Sequence, residues 1–307
     1  MKIVALMTSV LLLSYSPLSL ANETADAQTP TEAEITAQEQ EYRQWAQEFV
    51  DSLNYQQGEI SLPNGVATLN VPESFYYLSP EDTQRVLVEA WGNPPGGQTL
   101  GMLFPSDVTP LDDASWGVTI EYEEDGYVSD ENASEIDYAD LLEQMQEDTR
   151  EVNPERVEAG YQPIELVGWA ATPHYNEASH KLYWAQELQF GDDPYHTLNY
   201  NIRVLGRQGV LVLNFIAGMH QLPEIEANLD TVLDMAQFDD GHRYSDFDPE
   251  VDTVAAYGLG ALVAGKAAAK AGFFAAALLF LKKFGVIILA GLAAIGGKLW
   301  KSRKSDT

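Results

Sequence analysis

The chain has no cysteine in its 307 residues. That excludes a disulfide framework, a thiol nucleophile, a CxxC redox pair and a lipid-modified cysteine. A body of about 215 residues can bury a sizeable core without such staples. Basic residues are scarce in most of the chain. From Asn22 to Asp252 there are 46 acidic side chains against 8 basic ones, a net charge of −38. So anionic a surface repels phosphate backbones and argues against a nucleic-acid partner. Acids are missing in turn from Val254 to Trp300, where Ala, Gly, Leu, Ile and Phe predominate. From Thr253 onward 8 basic residues face one acid, Asp306. The overall charge of −30 therefore averages an acidic body and an apolar basic tail.

Catalytic signatures are also missing. There is no GxSxG elbow, SxxK pair, P-loop or strand-coupled GxGxxG, and Gly258-Leu259-Gly260 opens an apolar helix instead of a βα turn. The five histidines, His174, His180, His196, His220 and His242, form no HExxH, HxH or HxxxH pattern. They read as capped or surface residues. No catalytic, cofactor-binding or metal residue is singled out, and an enzyme is the less favoured class.

What is present begins with an export signal. Lys2 precedes an apolar run from Ile3 to Leu13, and Ser19-Leu20-Ala21 puts small residues at a cleavage site. The expected organisation is a signal peptide over 1–21, a disordered acidic lead over 22–34, an exported domain over 35–252, and a membrane anchor with a basic tail over 253–307. The lead, NETADAQTPTEAE, is too polar to bury a core.

Patterning predicts an α+β fold, mainly antiparallel sheet packed with helices. Thr31 and Glu34 have capping-box spacing. Tyr42, Trp45, Ala46, Phe49, Val50 and Leu53 then share one helical face, read as core-packing. Ile60 to Val71 surrounds a Pro63-Asn64-Gly65 turn and predicts a hairpin. Ser79-Pro80 followed by two acids starts a helix reaching about Ala90, and Gly92 to Gly97 is a loop. Trp116 to Tyr122 reads as a strand. Ser134 to Arg150 reads as a helix with Ile136, Leu141, Leu142 and Met145 inward. Lys181–Phe190, Thr197–Leu205 and Val210–Ile216, joined by tight polar turns, form an antiparallel meander that helix Leu222–Met235 can cover.

The runs EISLPNGVATLNVP, RVLVEAWGNPPG, EYEEDGYVSDE, LVGWAATPHYNEASHKLYWAQEL, HTLNYNIRVLGRQGVLVLN, LPEIEANLDTVLDMAQF and GHRYSDFDPEVDTVAAYG resemble the DUF2167 family of bacterial membrane-anchored proteins. The resemblance spans roughly 58–300. It implies an exported domain followed by a membrane region and carries no functional residue across. The final strand–helix part is similar in topology to PsbP/Mog1-type sandwiches.

Three groups bear on chemistry. Glu121, Glu123, Asp125, Gly126 and Val128 fit an EF-hand loop, but Asn132 stands where a bidentate Glu is needed; a solvated acidic turn is the favoured reading. Trp169, Tyr175, Tyr183 and Trp184 suit either a sugar or peptide groove or, more ordinarily, strand packing. His174 and His180, six residues apart, match no ligand spacing.

In the tail, Phe284–Trp300 is 17 residues, near the lower limit for a membrane span. Lys266 and Lys270 interrupt the preceding apolar stretch, at about 2.5–3.5 kcal/mol each at mid-bilayer. Three arrangements compete: one span near 284–300, one longer span around 271–297 that buries Lys282 and Lys283, and a hairpin; a single span with the closing KLWKSRKSDT in the cytoplasm is favoured over the hairpin by the positive-inside rule. Gly258, Gly265 and Gly272 with Ala261, Ala268 and Ala275 form a small-residue seam that permits self-association. The expected protein is a binding or interaction module of the bacterial inner membrane, its main domain facing the periplasm. Its expected partners are the lipid bilayer and an envelope protein or ligand. An envelope hydrolase or metal-dependent enzyme is the alternative, and a membrane-perturbing role a third.

Overall fold

A computed structural model describes residues 32–131 and 133–264, with side chains from Glu39 onward. The expected signal peptide, all but the last three residues of the acidic lead, and the tail beyond Ala264 lie outside the described residues, and the expected spans and most of the small-residue seam lie there with them. Among the described residues no helix is long and apolar enough to cross a membrane.

The described residues open with α1 (Glu32–Asp51), so residues 32–34 are helical. Only the C-terminal part of its apolar stripe packs as expected. Phe49 and Leu53 are buried, whereas Tyr42 is 41% and Trp45 37% exposed. The hairpin forms where the turn residues put it. Strand β1 (Gly58–Ser61) pairs antiparallel with β2 (Ala67–Val71), and Gly65, at φ +70°, supplies the left-handed turn that a Cβ would disfavour.

Strand β3 (Phe75–Leu78) leads into α2 (Pro80–Arg85). Ser79 Oγ accepts from the Asp82 N–H at 3.2 Å, Pro80 occupies the first turn, and Glu81 and Asp82 face the positive end of the helix. Such a cap contributes about 1 kcal/mol. The helix then widens into a π turn over Val86–Ala90, closed by the Trp91 N–H on the Val86 carbonyl at 2.9 Å. The expected helix to Ala90 is thus two geometries in series.

Strand β4 (Gly101–Pro105) and β5 (Gly117–Glu123) follow. Helix α3 (Tyr138–Glu158) starts at Asp137, whose carboxylate caps Ala139 and Asp140, and not at Ser134. Ile136 precedes the helix; Met145 and Thr149 are its buried residues. Strands β6 (Ile164–Asn176), β7 (Lys181–Phe190), β8 (Thr197–Leu205) and β9 (Val210–Gly218) form the meander, followed by α4 (Leu222–Met235) and β10 (Ala236–Phe238). Strands β3, β4, β6 and β10 were not expected.

Seven strands make one antiparallel sheet in the order β3-β4-β5-β9-β8-β7-β6, and three make a second, β1-β2-β10. Strands β8 and β9 lie inside the large sheet and are buried along almost their whole length, which is why VLVLNFIAG is a continuous apolar run. Phe75, Trp116, Ile120, Leu213 and Phe215 on one face of the sheet pack with Leu69 of β2 and with Ile225, Val232 and Leu233 of α4. A second cluster joins Phe49 of α1 and Leu53 just beyond it to Val86, Leu87, Met102, Phe104 and Ile216. The long edge strand β6 carries register shifts after Leu166, Trp169 and Ala171, and Pro173 within it needs no ladder donor on the outer side. Gln146 and Asn153 of α3 hydrogen-bond the backbone at Ile164, Leu166 and Val167. That blocks this part of the edge against further pairing.

The chain divides after Leu259 into two compact units. The second is described only over residues 260–264, which continue the short helix α5 (Leu259–Ala264).

Candidate functional site

The densest polar cluster built by distant segments lies after β5. Asp130 Oδ2 accepts from Tyr175 Oη at 2.7 Å, and Asp130 Oδ1 accepts from Tyr244 Oη at 3.0 Å. His180 Nδ1 stands 3.2 Å from Tyr175 Oη and 3.5 Å from Asp130 Oδ2. These residues come from the β5–α3 loop, both sides of the β6–β7 hairpin and a single 3₁₀ turn at Tyr244–Asp246. The hairpin tip is shaped by Asn176 Oδ1, which accepts from the Ala178 and Ser179 N–H groups. His180 follows at φ +51°, the one left-handed non-glycine among the described residues. Its ring lies 4.2 Å from that of Tyr244. On the other side Tyr127 stacks between Tyr244 at 4.4 Å and Phe247 at 3.9 Å.

The electrostatics follow from this wiring. Burial pushes the Asp130 carboxyl up, but hydrogen bonds from Tyr175, Tyr244, its own backbone and His180 outweigh it and hold the group below its ordinary range. Burial and the Asp130 carboxylate push the Tyr175 phenol far up; burial, Tyr127 and Asp130 do the same to Tyr244. Both phenols are therefore protonated donors at neutral pH and not nucleophiles. The carboxylate's oxygens are both engaged, which leaves a structural lock more readily than a general base.

Beside this cluster the chain leaves the body through a clamped segment. The Tyr127 N–H donates to the Thr253 carbonyl at 2.8 Å, and the Ala255 N–H donates back to the Tyr127 carbonyl at 2.8 Å. Asp252 accepts from Arg207 Nε at 2.8 Å, Gln208 Nε2 at 3.1 Å and the Asp248 N–H at 2.7 Å. Its side chain is 1% exposed. These bonds, led by the Arg207 guanidinium, lower its carboxyl to about 2. Tyr257 Oη closes the clamp on Asp125 Oδ2 at 2.7 Å.

This clamp corrects the reading of the acidic turn. Glu121 and Glu123 belong to β5, Asp125 accepts from Tyr257, and Gly126 N–H donates to the Gln208 carbonyl at 3.1 Å. The turn is packed against the exit segment, and Gly126 is required at φ +94°. Asn132 lies outside the described residues. No group of three metal-ligating side chains occurs among the described residues.

The remaining histidines and aromatics are dispersed. His174 stacks on Tyr183 at 4.8 Å, His196 Nδ1 meets Glu187 Oε1 at 2.6 Å, and the His242 carbonyl accepts from the Arg207 N–H at 2.9 Å. Trp184 is buried at 2% exposure, and Trp169 Nε1 donates to the Tyr138 carbonyl at 3.1 Å. Tyr183 projects to the opposite face of β7 from Trp184, so the four aromatics line no single groove. Sequence reasoning passed over Asp130, Tyr244 and Asp252. The runs EYEEDGYVSDE and GHRYSDFDPEVDTVAAYG were the available signal, both rich in Tyr and Asp with no catalytic pattern to explain them.

Fold and site together define an α+β domain of two antiparallel sheets packed with helices, with residues 252–257 fastened by an acid–tyrosine network. The chain belongs to the DUF2167 family, proteins of unknown function, whose model matches residues 54–293. No curated protein matches it. Among solved structures it is similar to cyanobacterial PsbP from Synechocystis, at 13% identity and a TM-score of 0.33, covering 61% of this chain and 93% of that one. It is similar also to the Ran-binding protein Mog1p of Saccharomyces cerevisiae, at 14% identity and a TM-score of 0.28, covering 64% of this chain and all of that one. At those scores neither likeness bears on function.

Proposed function

We propose that this chain is a non-catalytic interaction module exported to the bacterial envelope, its acidic body held against the inner membrane on the periplasmic side by its C-terminal segment. The observation that carries this reading is the clamp on residues 252–257, where the acidic body gives way to the acid-free tail. An untethered terminus needs no such fastening, and a flexible linker would leave the body free to swing. Here Asp252, Thr253, Ala255 and Tyr257 are all bonded to the body, so the chain is fastened to it as far as Tyr257. A segment fastened up to Tyr257 suits a module held close to the bilayer and to a partner there. The charge division favours the same arrangement, a basic tail against anionic lipid headgroups and an acidic body that they repel.

A hydrolase is the weaker reading. His180 and Asp130 are suitable residue types, but two phenols occupy the carboxylate and fix it as a lock.

Protease protection and in-cell crosslinking of the full chain test the proposal. With tags in the body and at the C-terminus, protease added to spheroplasts digests the first tag and spares the second, and crosslinking recovers a defined envelope partner. A C-terminal tag digested in intact spheroplasts contradicts the single-span arrangement. Recovery of no partner, together with turnover of an envelope substrate, overturns the module reading.

A further inference from the structure

Two cavities adjoin at the loop that follows β4. One, of about 320 Å³, has Tyr55, Gln57 and Tyr76 in its wall. The other, of about 280 Å³, has Trp116, Glu224 and Asn228. Ser106 and Asp107 line both. The α1–β1 connection, β3, the β4–β5 loop and α4 thus meet around one aspartate.

The walls are held in place and are rich in acceptors. In the second cavity the indole N–H of Trp116, a residue 1% exposed, donates to Glu224 Oε1 at 2.8 Å and fixes that carboxylate. Asn228 Nδ2 donates to the Glu224 carbonyl at 2.9 Å, which leaves Asn228 Oδ1 as an acceptor. In the first cavity Gln57 Nε2 donates to the Glu73 and Phe75 carbonyls at 3.2 and 2.8 Å, which leaves its Oε1. The phenols of Tyr55 and Tyr76 donate to the Val50 and Val108 carbonyls, each at 3.0 Å, and their rings meet edge-on at 4.7 Å. Asp107 has no hydrogen-bond or ion-pair partner for its carboxylate among the described residues. Burial, and then the carboxylates of Asp51, Asp82 and Asp112, push the Tyr55 phenol up, so the field at this wall is negative.

That lining narrows the ligand. An anion would meet two carboxylates and no Lys, Arg or His in either wall. A metal ion needs more ligands than these two carboxylates, and no group of three metal-ligating side chains occurs among the described residues. A primary ammonium group brings one positive charge and three N–H donors, a match for Asp107, Glu224 and Asn228 Oδ1. In the first cavity a second ammonium meets Asp107 again, Gln57 Oε1 and two aromatic rings, whose faces attract cations. Two small cavities that share one carboxylate suit two such groups joined by a short methylene chain. We propose that the pair of cavities binds a linear di- or polyamine, one ammonium between Asp107 and Glu224 and the next against Tyr55 and Tyr76. The site shares no residue with the clamp on residues 252–257 and does not depend on how the protein is tethered.

The full chain in a neutral detergent is titrated by calorimetry with putrescine, spermidine and a Lys-Gly-Lys peptide. Salt at about 0.15 M screens the diffuse attraction of any cation to the acidic body. Spermidine binds saturably at one site, and Asp107→Asn and Glu224→Gln each weaken it about tenfold or more. Glutamine keeps an acceptor for Trp116, and Asp107 has no bond to lose, so Asp107→Asn decides the matter should Glu224→Gln disturb folding. Asp192→Asn, on an exposed residue of the β7–β8 turn, removes the same charge and leaves the affinity unchanged. No saturable binding of either amine, or an equal loss in all three variants as diffuse attraction gives, overturns the proposal. Binding of the peptide with neither amine also overturns it and makes the cavities a dock for lysine side chains of a protein.

Discussion

Gly126 passes so close to Thr253 that a Cβ at position 126 would stand 2.5 Å from the Thr253 carbonyl oxygen. Its φ of +94° already excludes most side chains, so two independent constraints converge on one glycine at the clamp. Gly126→Ala is expected to destabilise the body by about 2 kcal/mol or more, since left-handed backbone and backbone contact add. Gly65→Ala is the control, because Gly65 has φ +70° with nothing within 4 Å of the added Cβ. It should cost only about 1–2 kcal/mol. Urea unfolding measures both, and limited proteolysis between Ser245 and Tyr257 should accelerate in Gly126→Ala alone. Equal proteolysis of the two variants would show that the Gly126–Thr253 contact does not hold the segment.

The Asp130 cluster predicts a coupling. Two phenols donate to one carboxylate, so Asp130→Ala removes both bonds and should cost about 1–3 kcal/mol, reduced from the buried-charge range because the carboxylate is a quarter exposed. Tyr175→Phe should cost about 1 kcal/mol. A double-mutant cycle on Asp130 and Tyr175 should return a coupling of about 0.5 kcal/mol or more, and additive effects would remove the bond from the account.

Legibility in the sequence tracked how local the cause was. The β1–β2 turn at Pro63-Asn64-Gly65, the Ser79 cap and helix Leu222–Met235 depend on residues within one turn of each other, and each formed where expected. Strand β6 was missed because Gly168 and Pro173 break its pattern and three register shifts spoil its alternation. Its acceptance of proline depends on being an edge, which only the finished sheet determines. Tyr42 and Trp45 fit the apolar stripe of α1, yet periodicity says which side chains share a face and not how far along it the body reaches. The Asp130–Tyr244 bond joins positions 114 residues apart, and Tyr257–Asp125 spans 132. In a chain with 47 acids no sequence pattern selects those partners.

The clamp should also respond to acid. Asp252 titrates at about 2 in the folded protein against an ordinary 3.8. A lowered carboxylate contributes stability that is fully present above the unfolded value and is lost as pH falls through the folded one. The loss therefore belongs between about pH 4 and pH 2, and Asp130, also lowered, adds to it with the same sign. Pepsin, active across that window, should cut the segment around Phe247–Tyr257 progressively faster relative to the rest of the chain. Asp252→Asn should be cut readily at the upper end of the window, and its remaining pH dependence should be smaller. A wild-type segment as resistant at the bottom of the window as at the top would rule out this ion pair as the fastening.

Phe215 tests which face of the central strand holds the body together. It is 0% exposed, stacks on Trp116 at 6.1 Å and meets Tyr200 edge-on at 6.0 Å, among the residues that join β9 to β2 and α4. Its neighbour Asn214 points to the other side of the sheet. Phe215→Ala removes a ring from a site gripped by two sheets and a helix, where little collapse can fill the space. It should cost about 3–5 kcal/mol, and Phe215→Leu under about 2 kcal/mol. Urea midpoints at constant slope measure both. An alanine variant within about 1 kcal/mol of wild type would mean that the two sheets are not joined through this ring, and the layered packing against β2 and α4 would need another anchor.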